Sequence, residues 1–221
     1  MKNYVITMMN HTQSNQAAMR CVKSGQKFNE KIVKFSAVTP EKKPLIIAER
    51  ENIPLQAFHK EGNKYSRFYN VLSAFLSHYS LWKKCVELDE PIRIFEHDAV
   101  IRSALPSIPM AGMKCVSLGW PSYGRFNTPS TLGINRLTSK AYFPGAHAYQ
   151  ISPAGAKQLV ERSKIDAGPT DVFLHIKRFP WLEEYYPWPV TAEDYFTTIQ
   201  TERGCQAKHN YQANREGYEI L

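Results

Sequence analysis

Paired cysteines, long apolar runs and acid-rich stretches are all missing from this chain of 221 residues. Its four cysteines, Cys21, Cys85, Cys115 and Cys205, stand far apart and form no CxxC pair. That argues against a disulfide framework or a zinc site and for reduced thiols in a cytoplasm. No stretch approaches the roughly 20 apolar residues that a membrane span needs. The opening MKNYVITMMNHTQ lacks a long apolar core and a cleavage site, so the expectation is a soluble, unexported, cytoplasmic protein. There is no internal repeat and no low-complexity block. Helix-turn-helix, zinc-finger and RNP signatures are absent too, which weighs against nucleic acid as the partner.

What the chain does have is positive charge and aromatic side chains. Lysine and arginine number 28 against 20 acidic residues, a net charge of +8. Such a balance favours anionic partners: nucleic acid, an anionic membrane surface or a phosphorylated small molecule. Aromatics make up 12% of residues, and they stack on bases and sugar rings alike.

The pattern along the chain predicts an α/β fold. Tyr4 to Met9 reads as a strand, Ser14 to Ser24 as a helix stopped by Gly25, Lys31 to Val38 as a second strand and Leu45 to Glu51 as a short helix. Ser66 to Leu88 is the clearest helix. Phe68, Leu72, Phe75, Leu76, Tyr79, Trp82 and Val86 recur at spacings of three and four, and Asp89-Glu90-Pro91 ends the run. Ile92 to Phe95 and Lys114 to Leu118 read as strands. Residues 119–140 mix Gly, Pro, Ser, Thr and Asn with Trp120, Tyr123 and Phe126, and read as a long binding loop. AYFPGAHAYQI reads as an interrupted strand. Ser152 then caps a helix with Pro153 in its first turn, and Asp171 to Lys177 forms a short helix after the turn at 166–170.

One stretch, RIFEHDAVI (93–101), places Glu96, His97 and Asp98 together at the end of a buried strand. Clustered charge at such a place needs a partner. In open α/β sheets ligands gather outside the carboxyl ends of strands. Two carboxylates flanking one residue can hold Mg²⁺ or Mn²⁺, which prefer oxygen ligands and leave positions open for phosphate and water. An exposed polar turn after a strand is the plainer alternative.

The surroundings of that triplet resemble glycosyltransferase family 25, the lipopolysaccharide-type galactosyltransferases related to collagen galactosyltransferases. The resemblance rests on Ser77-His78-Tyr79-Ser80-Leu81-Trp82-Lys83, on Glu96-His97-Asp98 in place of an acidic Glu-Asp-Asp-like motif, on Gly145, Tyr149, Ser152, Gly155 and Ala156, and on Pro169-Thr170-Asp171. Tyr4-Val5-Ile6 resembles the family's first strand. The similarity covers roughly residues 1–200. It departs where Thr7-Met8 replaces the usual Asn-Leu, and where His97 replaces the middle aspartate.

The resemblance implies a single GT-A, Rossmann-like α/β sandwich over residues 1–200. A tail at 201–221 could close over the donor site. It implies a UDP-sugar donor, a divalent metal (Mn²⁺ or Mg²⁺), and transfer of a hexose such as galactose or glucose to a glycan hydroxyl with inversion. The acceptor would be an oligosaccharide or lipopolysaccharide-type glycan, and the basic surface permits peripheral membrane contact. Asp98 and Glu96 become the candidate metal ligands, with His209 from the tail set against a solvated tail histidine. Thr7 and Met8 mark where uridine would sit. Arg20 and Lys208 are candidates for phosphate contact or simply solvated cations. Ser77 and His78 are candidate donor-site residues, whereas Trp82 and Tyr149 read as core packing. Asp171 is the candidate general base, against a reading as a first-turn aspartate favouring its helix dipole. A basic nucleic-acid-binding module without catalysis and a metal-dependent phosphoryl-transfer enzyme are the competing classes.

Overall fold

The computed structural model describes residues 1–58 and 67–193. Ser66, Lys208, His209 and the tail at 201–221 lie outside the described residues. Three strands start the sheet: β1 (Lys2–Thr7) lies between β2 (Ile32–Ser36) and β3 (Ile92–Glu96), all parallel. In this register Tyr4 pairs with Val33 on one side and Ile94 on the other. Parallel neighbours need crossovers, and helices supply them. α1 (Thr12–Gln26) links β1 to β2, while α2 (Pro44–Arg50) and the long α3 (Phe68–Leu88) lie between β2 and β3.

Past β3 the sheet reverses. β7 (Ala148–Ile151) runs antiparallel to β3 and to β5 (Cys115–Ser117). β8 (Leu182–Tyr186) is parallel to β5, and β6 (Gly133–Arg136) forms the far edge against β8. The order is β2-β1-β3-β7-β5-β8-β6, a mixed α/β sheet. β4 (Ala99–Ile101) and β9 (Val190–Ala192) make a separate antiparallel ribbon. α4 (Pro153–Ser163) starts at Ser152, whose hydroxyl accepts the Gly155 N–H as the sequence predicts. α5 (Thr170–Phe173) is a single turn.

Both sheet faces are covered, which explains why β3 is apolar on both sides. Tyr4, Ile6, Ile94 and Tyr149 join one core with Phe75, Leu76, Trp82 and Leu159 of α3 and α4. Val5, Phe95, Val116 and Ala148 join the other with Ala18 and Cys21 of α1 and Ala99 and Val190 of the ribbon. Burying each large apolar side chain contributes roughly 1.5–3 kcal/mol relative to exposure. Arg93 is buried inside β3 because its charge is matched. Its guanidinium donates to Glu30 (2.9 Å), Gln150 (3.0 Å) and the Pro106 carbonyl (2.6 Å).

Several local expectations need correction. β1 ends at Thr7 because the next backbone groups are taken by the turn into α1: the Met8 N–H donates to Ser14 Oγ and the Met8 carbonyl accepts from His11. Gly25 does not stop α1, which runs to Gln26. It is a close-approach site, since a Cβ there would come within 2.6 Å of Ile32. On α3 the buried stripe steps three residues from Trp82 to Cys85, leaving Val86 38% exposed. Residues 119–140 are not all loop: β6 forms there and pairs with the distant β8, Gly133 opposite Tyr186 and Arg136 opposite Glu183. The helix expected over 171–177 stops at Phe173, because Leu174 and Ile176 give their backbone groups to Phe143 and Ala141.

Candidate active site

β2 and β3 flank β1, so the chain leaves β1 first to one side and later to the other. The crevice outside the carboxyl ends at such a switch point is where ligands collect in open α/β sheets. A cleft of about 510 Å³, solvent-open mouth included, lies there. Ile6 of β1 and Met8 just after it, the segment Ala37 to Pro40 that follows β2, and Glu96 of β3 with the next residue His97 line it. Its remaining wall is α3, through Asn70, Ser73, Ala74, Ser77 and His78.

The α3 wall is fixed by hydrogen bonds. The Ser77 hydroxyl donates to the Ser73 carbonyl (2.8 Å) and accepts the Val38 N–H (2.9 Å), pinning the loop after β2 to the helix. Ser14 ties β1 to β3: its Oγ accepts the Met8 N–H and lies 3.2 Å from His97 Nδ1.

Behind the cleft runs a buried polar chain. Trp82 Nε1 donates to the Tyr149 hydroxyl (2.8 Å), which lies 2.8 Å from His78 Nδ1; His78 Nε2 lies 2.9 Å from Glu96 Oε1. Burial drives the His78 pKa down to about 3, so the imidazole is neutral. With Glu96 ionised, Nε2 carries the proton and donates to the carboxylate, while Nδ1 accepts from Tyr149. Tyr149 and Trp82 are fully buried, as core packing predicts, but they also orient His78 and through it Glu96. Sequence alone shows this only as the spacing of His78 and Trp82 at i and i+4 on one helix face.

The carboxylates sit in unfavourable places. Burial and the nearby charge of Asp171 push Glu96 up to about 8. Burial and Glu96 raise Asp98 to about 6, with His147 and Arg20 opposing. Asp98 Oδ1 is buried without a hydrogen-bond partner. A buried, partnerless carboxylate oxygen suits a hard cation. Among the described residues no group of three His, Cys, Asp or Glu side chains gathers to hold a metal ion. Glu96 and Asp98 are the two carboxylates that could hold such a cation, which would then need further ligands from outside the described side chains.

Asp171 opens α5. Its Oδ1 accepts the Val172 N–H (2.9 Å) and its Oδ2 accepts from the Tyr123 hydroxyl. Burial raises its pKa. The fold thus brings Glu96, Asp98, His78 and Asp171 into one electrostatic neighbourhood. Of the candidates, Met8, Ser77, His78 and Glu96 line the cleft, whereas Asp98, Asp171, Thr7 and Arg20 do not. Thr7 is fully buried and donates to the Val5 carbonyl (3.0 Å). Arg20 is buried on α1 and acts on Asp98. Two residues that sequence reasoning missed are His147, a buried imidazole whose pKa burial lowers and whose neighbourhood favours the ionised form of Asp98, and Tyr123 as the partner of Asp171. His147 fits only because residue 119 is glycine: a Cβ there would come within 2.4 Å of its Nε2.

The α/β sheet thus brings its switch-point cleft and the acidic strand end together at the carboxyl ends of the strands. The family model for glycosyltransferase family 25 (LPS biosynthesis protein) matches residues 1–117. The chain belongs to this family, and is accordingly a glycosyltransferase. No curated protein matches it.

Proposed function

We propose that the chain is a metal-dependent, inverting GT-A glycosyltransferase that moves a hexose, galactose or glucose, from a UDP-sugar to a glycan hydroxyl. The observation that carries this reading is the cleft at the carboxyl ends of β1, β2 and β3, bounded by Glu96 and His97, with the buried, partnerless Oδ1 of Asp98 on the next residue of the chain. Uridine fits between Met8, Val38 and the α3 wall, and the diphosphate extends toward Glu96 and Asp98. These two carboxylates would hold Mn²⁺ or Mg²⁺, which when bound neutralises diphosphate charge. Inversion is a single displacement. The acceptor oxygen forms its bond to the anomeric carbon as the bond to UDP breaks, and Asp171 takes the hydroxyl proton. Its raised pKa suits proton acceptance near neutral pH. Tyr123 and the Val172 N–H hold the two carboxylate oxygens in place.

In this reading residues 1–200 form the GT-A domain. Arg20 tunes Asp98 rather than touching phosphate. The acceptor is an oligosaccharide or lipopolysaccharide-type glycan, met in the cytoplasm or at a membrane face through the basic surface. Buried, unpaired Cys21, Cys85 and Cys115 agree with a reducing compartment. No helix among the described residues is long and apolar enough to cross a membrane. A screen of UDP-galactose, UDP-glucose and their N-acetyl forms for slow Mn²⁺-dependent hydrolysis tests the reading without an acceptor. Release of UDP from one hexose donor is expected, and no release from any of them would contradict it.

A further inference from the structure

Next to Asp171 lies a cluster that the donor site leaves unused. Tyr123, which holds Asp171, faces the Tyr142 ring at 6.4 Å and 36°. Tyr142 stacks on His175 at 6.3 Å and 19°, and the same two residues form a backbone bridge that fixes the stack. The Lys140 ammonium lies over both tyrosine rings, 5.6 Å from one centroid and 5.5 Å from the other. Among the described residues no carboxylate pairs with it, whereas the half-buried Lys114 and Arg178 each have an acidic partner. Burial lowers the Lys140 pKa, a sign that water solvates its charge poorly.

We propose that Lys140, Tyr142 and His175 form the acceptor subsite, and that it selects a sugar carrying a carboxylate or a phosphate. The inference rests on the transferase reading with Asp171 as base. Aromatic faces accept the apolar C–H side of a pyranose ring, and Lys140 supplies the countercharge that the protein itself withholds. A ring bound on Tyr142 lies against Tyr123, so its hydroxyl is delivered to the carboxylate that Tyr123 holds. The acidic group on the acceptor then sets register and the aromatic stack sets the sugar plane.

The test titrates three probes by NMR: methyl β-D-glucuronide, glucose 6-phosphate and neutral methyl β-D-glucoside. The proteins are the full chain, Lys140→Met, Lys140→Arg and Tyr142→Leu, each checked for an unchanged melting profile. Wild type should bind at least one anionic probe about tenfold tighter than the neutral one, the usual scale of a hydrogen bond to a charged group. The preferred probe tells carboxylate from phosphate. Lys140→Met should erase the preference, Lys140→Arg should restore most of it, and Tyr142→Leu should weaken all three probes. Equal binding of charged and neutral probes by wild type, or a preference that survives in Lys140→Met, overturns the proposal. Wild-type UDP-sugar hydrolysis is measured alongside. Its absence overturns the UDP-hexose reading of the donor, and the platform's role as acceptor site with it, whatever the sugars bind.

Discussion

The two halves of the sheet carry different kinds of order. In the first, β1, β2 and β3 are parallel, α1 and α3 cover them, and the cleft opens at their common carboxyl end. This half lies within the stretch matched by the family model. In the second, β7, β5, β8 and β6 are mixed in direction, and Asp171, Tyr123 and Lys140 come from loops and a single helical turn. Regular crossovers build the half that holds the cleft, and long-range tethers build the half around Asp171. Glu184 shows the second mode: fully buried, it accepts the N–H groups of Thr138 and Ser139 (both 2.8 Å) and Trp188 Nε1 (3.2 Å). Tyr149 joins the halves, since it lies in β7 while its partners Trp82 and His78 lie in α3.

The largest effect that separates the halves is kinetic. Asp171→Asn should lower glycosyl transfer by about 10²-fold or more, the usual loss when a general base is removed. UDP affinity and melting temperature should stay close to wild type, because the donor half is untouched. Near-normal transfer by the purified variant would leave Asp171 as a helix-terminal aspartate only. At the junction, Tyr149→Phe strands the Trp82 donor and one His78 nitrogen in the core. The expected cost is about 1–3 kcal/mol, or a fall in melting temperature of roughly 2–4 °C per kcal/mol. An unchanged melting temperature would mean that the two halves are not coupled through this hydroxyl.

How much of each half could be read from the sequence follows the same division. α3 was legible because seven apolar residues repeat with helical period, and the Ser152-Pro153 start because capping is local chemistry. The acidic strand end was visible as well. β6 and β8 were not: Gly133–Arg136 is short and largely exposed, and its partner is far along the chain, so no local period marks it. Tyr123 and His147 were missed for a related reason. Their meaning depends on Asp171 and Asp98, 48 and 49 positions away, and a single sequence shows no such pairing.

A smaller effect concerns pH. Glu96 has a folded pKa of about 8, above the ordinary carboxylate value of 4.5. Folding therefore binds a proton more tightly, and the metal-free stability that Glu96 contributes in this way is full below pH 4.5 and lost as pH rises toward 8. Glu96→Gln should flatten this part of the profile by roughly 2–4 °C for each kcal/mol removed. Parallel profiles for the two proteins between pH 5 and 8 would show that burial of Glu96 carries no such penalty.

The central claim is that Asp98 lets the cleft bind the diphosphate of a nucleotide sugar together with a cation. Thermal denaturation of wild type and Asp98→Asn at pH 7.5, with UDP, with Mn²⁺ and with both, tests it most directly. Without ligand the variant should be at least as stable as wild type, because it no longer buries a charge whose pKa is raised to about 6. UDP and Mn²⁺ together should raise the wild-type melting temperature by about 5 °C or more at saturating concentrations, beyond the sum of the separate shifts. The variant should lose that joint shift. A variant that responds as fully as wild type, or a wild type that UDP stabilises equally without metal, would contradict the account.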